Sequence, residues 1–429
     1  MRRRPTSLAV ALALLVPATA LPSAAAAGGP SGGRAGPAEA APPKADVPGR
    51  TVVRFATYNV SLNRASAGEL RADLLAGDAQ ARAVAEVVQR TRPEVLLLNE
   101  LDHDPEALRI FVEDYLGVPQ GGAEAISYPY TFTGEVNTGV PSGVDLDGDG
   151  AVGGPGDALG FGAFPGQYGM AVLSQHPVVE DAVRTFQDFR WADMPGARLP
   201  DDPGTPERGD FYSPEALEVL PLSSKSHWDV PVRVGQRDVH LLVSHPTPPT
   251  FDGPEDRNGL RNADEIRFWA DYISPARSQY VYDDEGGRGG LRGGALFVVA
   301  GDLNADPEDG DSVPGAIDQL LKAPRVNDNA VPESRGGLEQ ALLQGGANLE
   351  HTGSATTDTA DFSEPPGNLR VDYVLPRIGM RITGSGVFWP LQEDPLFGLV
   401  GTYPFPTSDH RLVWVDATVP GAGRRGPRG

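Results

Sequence analysis

The sequence predicts a layered α/β fold with its reactive groups gathered at strand ends, and three stretches carry that prediction. Leu296–Ala300 is a short apolar run of the kind found in strands buried on both faces, and Gly301 closes it just before Asp302 and Asn304. Thr51–Val60 and Val95–Leu98 are further strand-like runs, reaching Asn59 and Asn99-Glu100. Between them, Asp78–Arg90 sets Ala81, Val84, Ala85 and Val88 on one face, the stripe of an amphipathic helix, and Pro93 stops it. Strand, helix and strand in that order, each strand ending in polar side chains, read as sheets layered with helices.

Taken in order, the chain of 429 residues begins with three arginines, an apolar run and small residues suited to cleavage, so residues 1–27 read as a secretory signal peptide. Residues 28–49 are rich in Gly, Ala and Pro and read as a flexible lead-in, and residues 419–429 as a disordered tail. One domain is expected over residues 50–418. No stretch reaches the ~18 apolar residues of a membrane span, and the protein is expected outside the cell as a monomer. It has no cysteine, so the core, alone or with bound metal, must hold it together without disulfides.

Within the domain, Gly117–Gly166 and Thr185–Ser224 are rich in Gly, Pro and Asp and read as two long loop insertions. Met170–Leu173 and Val178–Val179 look like a strand pair broken at His176-Pro177. Trp228–Val234 and Val239–Val243 form a predicted hairpin around Gly235-Gln236-Arg237. Asn262 and Glu265 have the spacing of a capping box, which predicts a helix opening there. Val371–Leu375 and Leu412–Val415 supply two more strands.

Charge narrows the choice of partner. The formal net charge is −22, and removing Arg2, Arg3 and Arg4 makes it −25. Such a surface repels polyanions at long range, and no dense Lys/Arg run lies inside the domain, which counts against a long nucleic acid as the main substrate. Asp302 and Asn304, two apart on an extended chain, would point the same way. A carboxylate and a carboxamide aimed together suit phosphate chemistry: one orients water or binds a hard cation, the other holds a substrate oxygen.

Collected in order, Tyr58-Asn59, Leu98–Glu100, Gly169–Ser174, Ser244–Pro246, Gly301–Asn304, Val371–Leu375 and Ser408–His410 read TYN, LNE, GMAVLS, SHP, GDLN, VDYVL and SDH. On these motifs the chain resembles the endonuclease/exonuclease/phosphatase superfamily, metal-dependent phosphoesterases built as a four-layer α/β sandwich like that of DNase I. The resemblance implies that Glu100, with Asn59 and Asp409, holds a catalytic Mg²⁺ or Mn²⁺. It implies that Asp302 activates the attacking water and that Asn304 donates to a phosphoryl oxygen. It further implies that His410 acts on the phosphate with Asp372 fixing its tautomer, and that His245 serves as a second phosphate ligand or general acid. The expected function is hydrolysis of a small phosphate ester or headgroup by in-line attack of water. The alternatives are an extracellular endonuclease and an inactive binding module on the same fold.

One departure bears on substrate. Leu101-Asp102 follows the glutamate, where nucleases of the family carry a basic or polar residue, and Glu94 and Asp102 read as surface acids. In the Pro-rich stretch His245–Asn262, the side chains of Arg257, Asn258 and Arg261 are candidates for contacts to phosphate or leaving group. Separately, Asp145, Asp147, Asp149 and Gly150 match positions 1, 3, 5 and 6 of a calcium loop. Gly156 stands at position 12 and Asp157 one later, so a structural Ca²⁺ on Asp145, Asp147, Asp149 and Asp157 is expected to pin the insertion.

Overall fold

The computed structural model describes residues 41–422 apart from 46, 48 and 49. The proposed signal peptide, most of the lead-in and the end of the tail lie outside these residues. Thirteen strands are described. In chain order they are β1 (Thr51–Leu62), β2 (Val95–Leu101), β3 (Tyr130–Phe132), β4 (Met170–Ser174), β5 (Arg184–Thr185), β6 (His227–Val234), β7 (Arg237–Ser244), β8 (Leu296–Asp302), β9 (Ala360–Asp361), β10 (Asn368–Leu369), β11 (Asp372–Pro376), β12 (Ile382–Val387) and β13 (Val413–Val419).

They form a six-stranded sheet, β12-β13-β1-β2-β4-β3, a five-stranded sheet, β11-β8-β7-β6-β5, and the small pair β9-β10. Among the described strands, only β1–β2 and β7–β8 pair in parallel. Their adjacent ends carry Asn59, Asn99, Ser244 and Asp302, so the two parallel pairs deliver side chains to one rim.

Alternation along β8 shows why the layers stack. Leu296, Val298 and Ala300 face the core shared with the six-stranded sheet, while Phe297 and Val299 enter a second core with Phe268 and Trp269 of the Arg257–Tyr272 helix. That is the two-residue period of a strand covered on both sides. On the far face of the six-stranded sheet, the Ala79–Thr91 helix buries Ala81, Val84, Ala85 and Val88. Its N-cap is Asp78, whose carboxylate accepts from Ala81 N at 2.6 Å. Helix, sheet, sheet and helix make the expected α/β sandwich.

Three details differ from the sequence reading. Helix Arg257–Tyr272 opens before Asn262, so the capping-box spacing falls mid-helix. Asn262 Nδ2 instead donates to Thr247 O and Leu303 O (2.8 and 3.0 Å), and the Glu265 carboxylate takes the N–H groups of Ser224 and Thr247 (2.8 and 2.6 Å). Val178 makes only an isolated bridge to Val232, so the strand ends at Ser174 before His176-Pro177. The hairpin turn is the two residues Gly235-Gln236, with Gly235 at φ 59°, the left-handed conformation that such turns demand.

Candidate active site

The site forms where the ends of β1, β2, β8 and β11 meet the segment leading into β13. Asn59 Nδ2 reaches across from one sheet to Asp302 Oδ2 on the other at 3.1 Å, and Asp302 N donates to Asn99 Oδ1 at 3.3 Å. The sheets are therefore stitched together by groups beside the reacting centre. Between Asn59 and Leu62 the β1–β2 register slips, and Ser61 (φ 47°) and Glu100 (φ 58°) adopt left-handed backbone there. Irregularities of this kind re-aim side chains, and each left-handed non-glycine residue costs on the order of 1–3 kcal/mol and persists only where its surroundings enforce it. Of the seven non-glycine residues with positive φ among those described, four (Ser61, Glu100, Phe251 and Asn304) line the same cleft.

At its floor lies a buried relay. His410 Nδ1 is 2.9 Å from Asp372 Oδ2, which also accepts from Thr359 Oγ1 at 2.8 Å. His410 Nε2 is 3.6 Å and His245 Nε2 3.3 Å from Asp302 Oδ2. Burial alone would drive the Asp302 carboxyl up, but the charges of His410 and then His245, with hydrogen bonds from His245 and Asn59, hold it well below the usual carboxylate range. Burial raises the Asp372 carboxyl to about 6 against the pull of His410. Burial opposes the charged form of His410, yet Asp372 and Asp302 outweigh it and raise its imidazolium pKa well above the ordinary value. The pair titrates as one unit with the proton retained on the imidazole side.

Glu100 and Asp409 are half-buried and line the cleft above the relay. Among the described residues, the Glu100 carboxylate takes only Asn63 Nδ2 at 2.8 Å, and Asp409 only the hydroxyls of Ser61 and Ser408, both at 3.4 Å. Two carboxylates in one cleft without a basic partner, both offering hard oxygen donors, fit a divalent cation. Asn59 sits beside Asp302, its Oδ1 accepting from Ser61 N at 3.2 Å with a lone pair left over. Asp302, Asp372 and His410 also bring one donor each within 4.8 Å of one another. In that set His410 Nδ1 is already held by Asp372, the geometry of an acid–base relay.

Asn304 corrects the extended-chain expectation. Its backbone turns left-handed (φ 52°), its N–H caps Asp302 Oδ1 at 3.0 Å, and its Nδ2 donates to Pro246 O at 3.1 Å. It lines the cleft by a turn, because buried Leu303 faces the second core. Arg257, Asn258 and Arg261 do not line the cleft. Arg257 pairs with Glu255 and lies over the Phe211 ring, and Asn258 Nδ2 donates to Thr250 O at 2.7 Å. Arg261 is buried and donates to the carbonyls of Leu222, Leu159 and Pro221. Arg370 lies over Tyr373 beside Asp328.

Asp102 is likewise buried and not a surface acid. Its carboxylate accepts from Arg64 N (2.8 Å) and Tyr168 N (3.2 Å), and burial raises its pKa to about 6. It cannot serve as the surface charge against DNA that the sequence suggested. The sequence reading passed over Ser61, Asn63, Thr359 and Lys225. Ser61 and Asn63 follow Asn59 within a few residues, a signal that was available. Lys225 is buried near Glu265, Glu100 and Asp302, and burial lowers its ammonium pKa against their pull.

In the Gly117–Gly166 insertion, Asp145, Asp147 and Asp149 each place a carboxylate oxygen within 4.8 Å of the others. Asp157 is turned inward: its oxygens accept from Leu146 N (2.6 Å), Asp147 N (3.3 Å) and Gly153 N (2.7 Å). It closes the loop through the backbone and is not one of the clustered donors.

The pattern of the Endonuclease/Exonuclease/phosphatase family matches residues 56–410, the span that contains every residue lining the cleft. The chain belongs to this family. It is thus a metal-dependent phosphoester hydrolase by family. Similar solved structures include an endonuclease/exonuclease/phosphatase from Beutenbergia cavernae DSM 12333, at 18% identity, 87% coverage of this chain and 73% of that one, with a TM-score of 0.47. Sphingomyelinase C from Streptomyces griseocarneus aligns at 16% identity over 86% and 99% of the two chains (TM-score 0.43). Truncated TDP2 from Caenorhabditis elegans aligns at 15% over 86% and 98% (TM-score 0.40). No curated protein matches the chain.

Proposed function

We propose that this family member is a secreted, monomeric, Mg²⁺-dependent hydrolase whose substrates are small phosphate esters or headgroups in preference to nucleic acid. The observation that carries the reading is the lining of the cleft, which holds about 740 Å³. Seven carboxylates (Glu100, Asp302, Asp306, Asp309, Asp311, Asp361 and Asp409) and two histidines face it, with no Lys or Arg among the described residues. A protein that grips a polynucleotide needs roughly one Lys or Arg for each phosphate neutralised, and this lining offers none. The N-terminal sequence supports export, and no helix among the described residues is long and apolar enough to cross a membrane.

The residues then divide the work. Glu100 and Asp409, with Asn59 beside them, would hold Mg²⁺ or Mn²⁺. A bound cation of that kind supplies Lewis-acid neutralisation of the phosphoryl and leaving oxygens. Asp302, held ionised, orients water for in-line attack by accepting a hydrogen bond from it. His410, held protonated by Asp372, donates to a phosphoryl oxygen. His245, on the other side of Asp302, donates to the phosphate or protonates the leaving oxygen. Asn304 is positioned by Pro246 O to donate its remaining amide hydrogen. The Asp145, Asp147 and Asp149 loop would hold Ca²⁺ as a pin for its insertion.

A hydrolysis panel of small mono- and diesters, lipid headgroup esters, RNA and DNA, with EDTA and with Mg²⁺ or Mn²⁺ restored, tests this reading. Metal-dependent turnover of small esters at higher kcat/KM than duplex DNA is expected at fixed ionic strength. Efficient duplex cleavage with a steep inverse salt dependence and poor ester turnover would make the chain a nuclease instead.

A further inference from the structure

The catalytic cleft does not end at the carboxylates. Asp361, Phe362, Ser363, Tyr403 and Phe405 form a wall shared with a second hollow of about 400 Å³, which extends to Gln340, Leu343 and Gln392. The two ends differ in chemistry. The first is acidic, whereas among the described residues Asp361 is the one charged residue lining the second, and its Oδ2 is 3.3 Å from buried Arg411 Nη2.

Two features of the second hollow point to an occupant. Gln340 is 7% exposed, its side-chain oxygen is buried without a hydrogen-bond partner, and its amide makes no hydrogen bond among the described residues. A buried amide oxygen without a partner costs stability unless something else satisfies it. Lining the same hollow, large apolar side chains stand in water: Tyr403 at 86% and Leu343 at 58%. Leu343 lies three residues after Gln340 at the edge of the Arg335–Gln344 helix, whose inner face buries Gly336, Gly337, Gln340 and Ala341. An exposed apolar strip running out of a catalytic cleft is a binding surface more often than an accident.

We propose that the second hollow and this strip receive the aliphatic, uncharged arm of the substrate, so that the ester cleaved is that of an amphiphilic alcohol. The inference rests on the phosphoesterase reading of the cleft. With the phosphate among Glu100, Asp409 and the two histidines, the arm crosses Phe362 and Phe405 and lies against Leu343 and Tyr403. The Gln340 amide serves a hydroxyl or amide group on it. Phe362 also packs edge-on against His410 (centroids 5.4 Å apart, planes at 80°), so an arm seated there bears on the relay as well as on affinity. Among the described residues no Lys or Arg lines this hollow to neutralise a second phosphate, and the exposed Leu343 favours an aliphatic chain over a nucleobase.

Calorimetric binding of methylphosphonate and octylphosphonate, both monomeric and non-hydrolysable, to the full metal-loaded chain tests this directly. Each buried methylene is worth roughly a fourfold gain, so octylphosphonate should bind at least about tenfold more tightly. Leu343→Asp and Tyr403→Ser should each remove most of that gap. Leu75→Asp, an exposed substitution outside both hollows, should preserve it. Equal affinities, no binding of octylphosphonate, a gap that survives Leu343→Asp, or tighter binding of a nucleoside phosphonate would each overturn the proposal. Because binding is the readout, a chain that prefers octylphosphonate and hydrolyses no ester would refute the hydrolase reading alone. Turnover without chain-length preference would refute this inference alone.

Discussion

Two trios in this molecule each bring three ligand-bearing side chains within 4.8 Å, and they have almost nothing else in common. Asp302, Asp372 and His410 are all buried, and each is answered by a side chain from another element: Asn59, Thr359, or one another. Asp145, Asp147 and Asp149 are half-buried to exposed and answered only by N–H groups of their own loop, such as Gly148 N and Gly150 N on Asp145 (2.7 and 2.9 Å). In the first trio burial and opposing charge separate the proton affinities of neighbouring groups, which is what general acid–base chemistry needs. In the second, water screens the repulsion, and the acids can do little beyond binding a cation. Proximity of carboxylates is common; what surrounds them decides their chemistry.

The sharpest way to break this contrast is to remove the buried groups. Asp302→Ala, His410→Ala and His245→Ala should each lower kcat by about 10²-fold or more, the scale of a lost acid–base group, with circular dichroism unchanged. Wild-type rates in the histidine variants would show that the relay is not the reacting centre. Asp372→Asn should cost less than His410→Ala, because it keeps a polar partner for the ring and removes only the charge that holds its proton.

The relay should also leave a mark on stability. The folded His410 pKa is raised, so its contribution is fully present below the unfolded value of about 6.5 and is lost as pH rises through the folded one. Asp302 has the opposite sign: its folded pKa is depressed, so its contribution is present above about pH 4 and is lost as pH falls through the folded value. Melting temperature against pH should therefore fall on the alkaline side in the wild type and flatten there in His410→Gln. Identical alkaline limbs would contradict the assigned proton.

The smallest effect belongs to the exposed trio. Saturating Ca²⁺ at 10- to 100-fold over its Kd would stabilise the insertion by only about 1–3 kcal/mol. It should slow proteolysis within Asp145–Asp157, and Asp147→Ala should abolish that protection while leaving kcat alone. Wild-type cleavage that ignores Ca²⁺ would reduce the loop to a solvated turn.

Much of the fold could be read from local pattern because its central strands are short continuous apolar runs and the Ala79–Thr91 helix keeps a clean stripe. What could not be read depends on partners distant in the chain. β12 is Gly-rich, and a Cβ at Gly386 would crowd the Trp414 ring at about 3.0 Å; no local propensity marks it as a strand. The Asn262–Glu265 spacing is shared by a helix cap and a helix interior, and only the loops at Thr247 and Leu303 reveal which applies. Asp102 and Arg261 look like surface charges until Tyr168 N and the Leu222 carbonyl close over them. The motif residues were readable for the converse reason: each ends or follows a strand, so the sheets bring them together by topology.

The most direct measurement of the central claim is turnover of one accepted small ester against Mg²⁺ concentration, in the wild type and in Glu100→Gln. The account predicts no turnover in EDTA, full recovery on adding Mg²⁺ or Mn²⁺, and a shift of the half-saturating metal concentration by at least about tenfold in the variant. Full turnover in metal-free buffer, or an unshifted metal curve in Glu100→Gln, would contradict it.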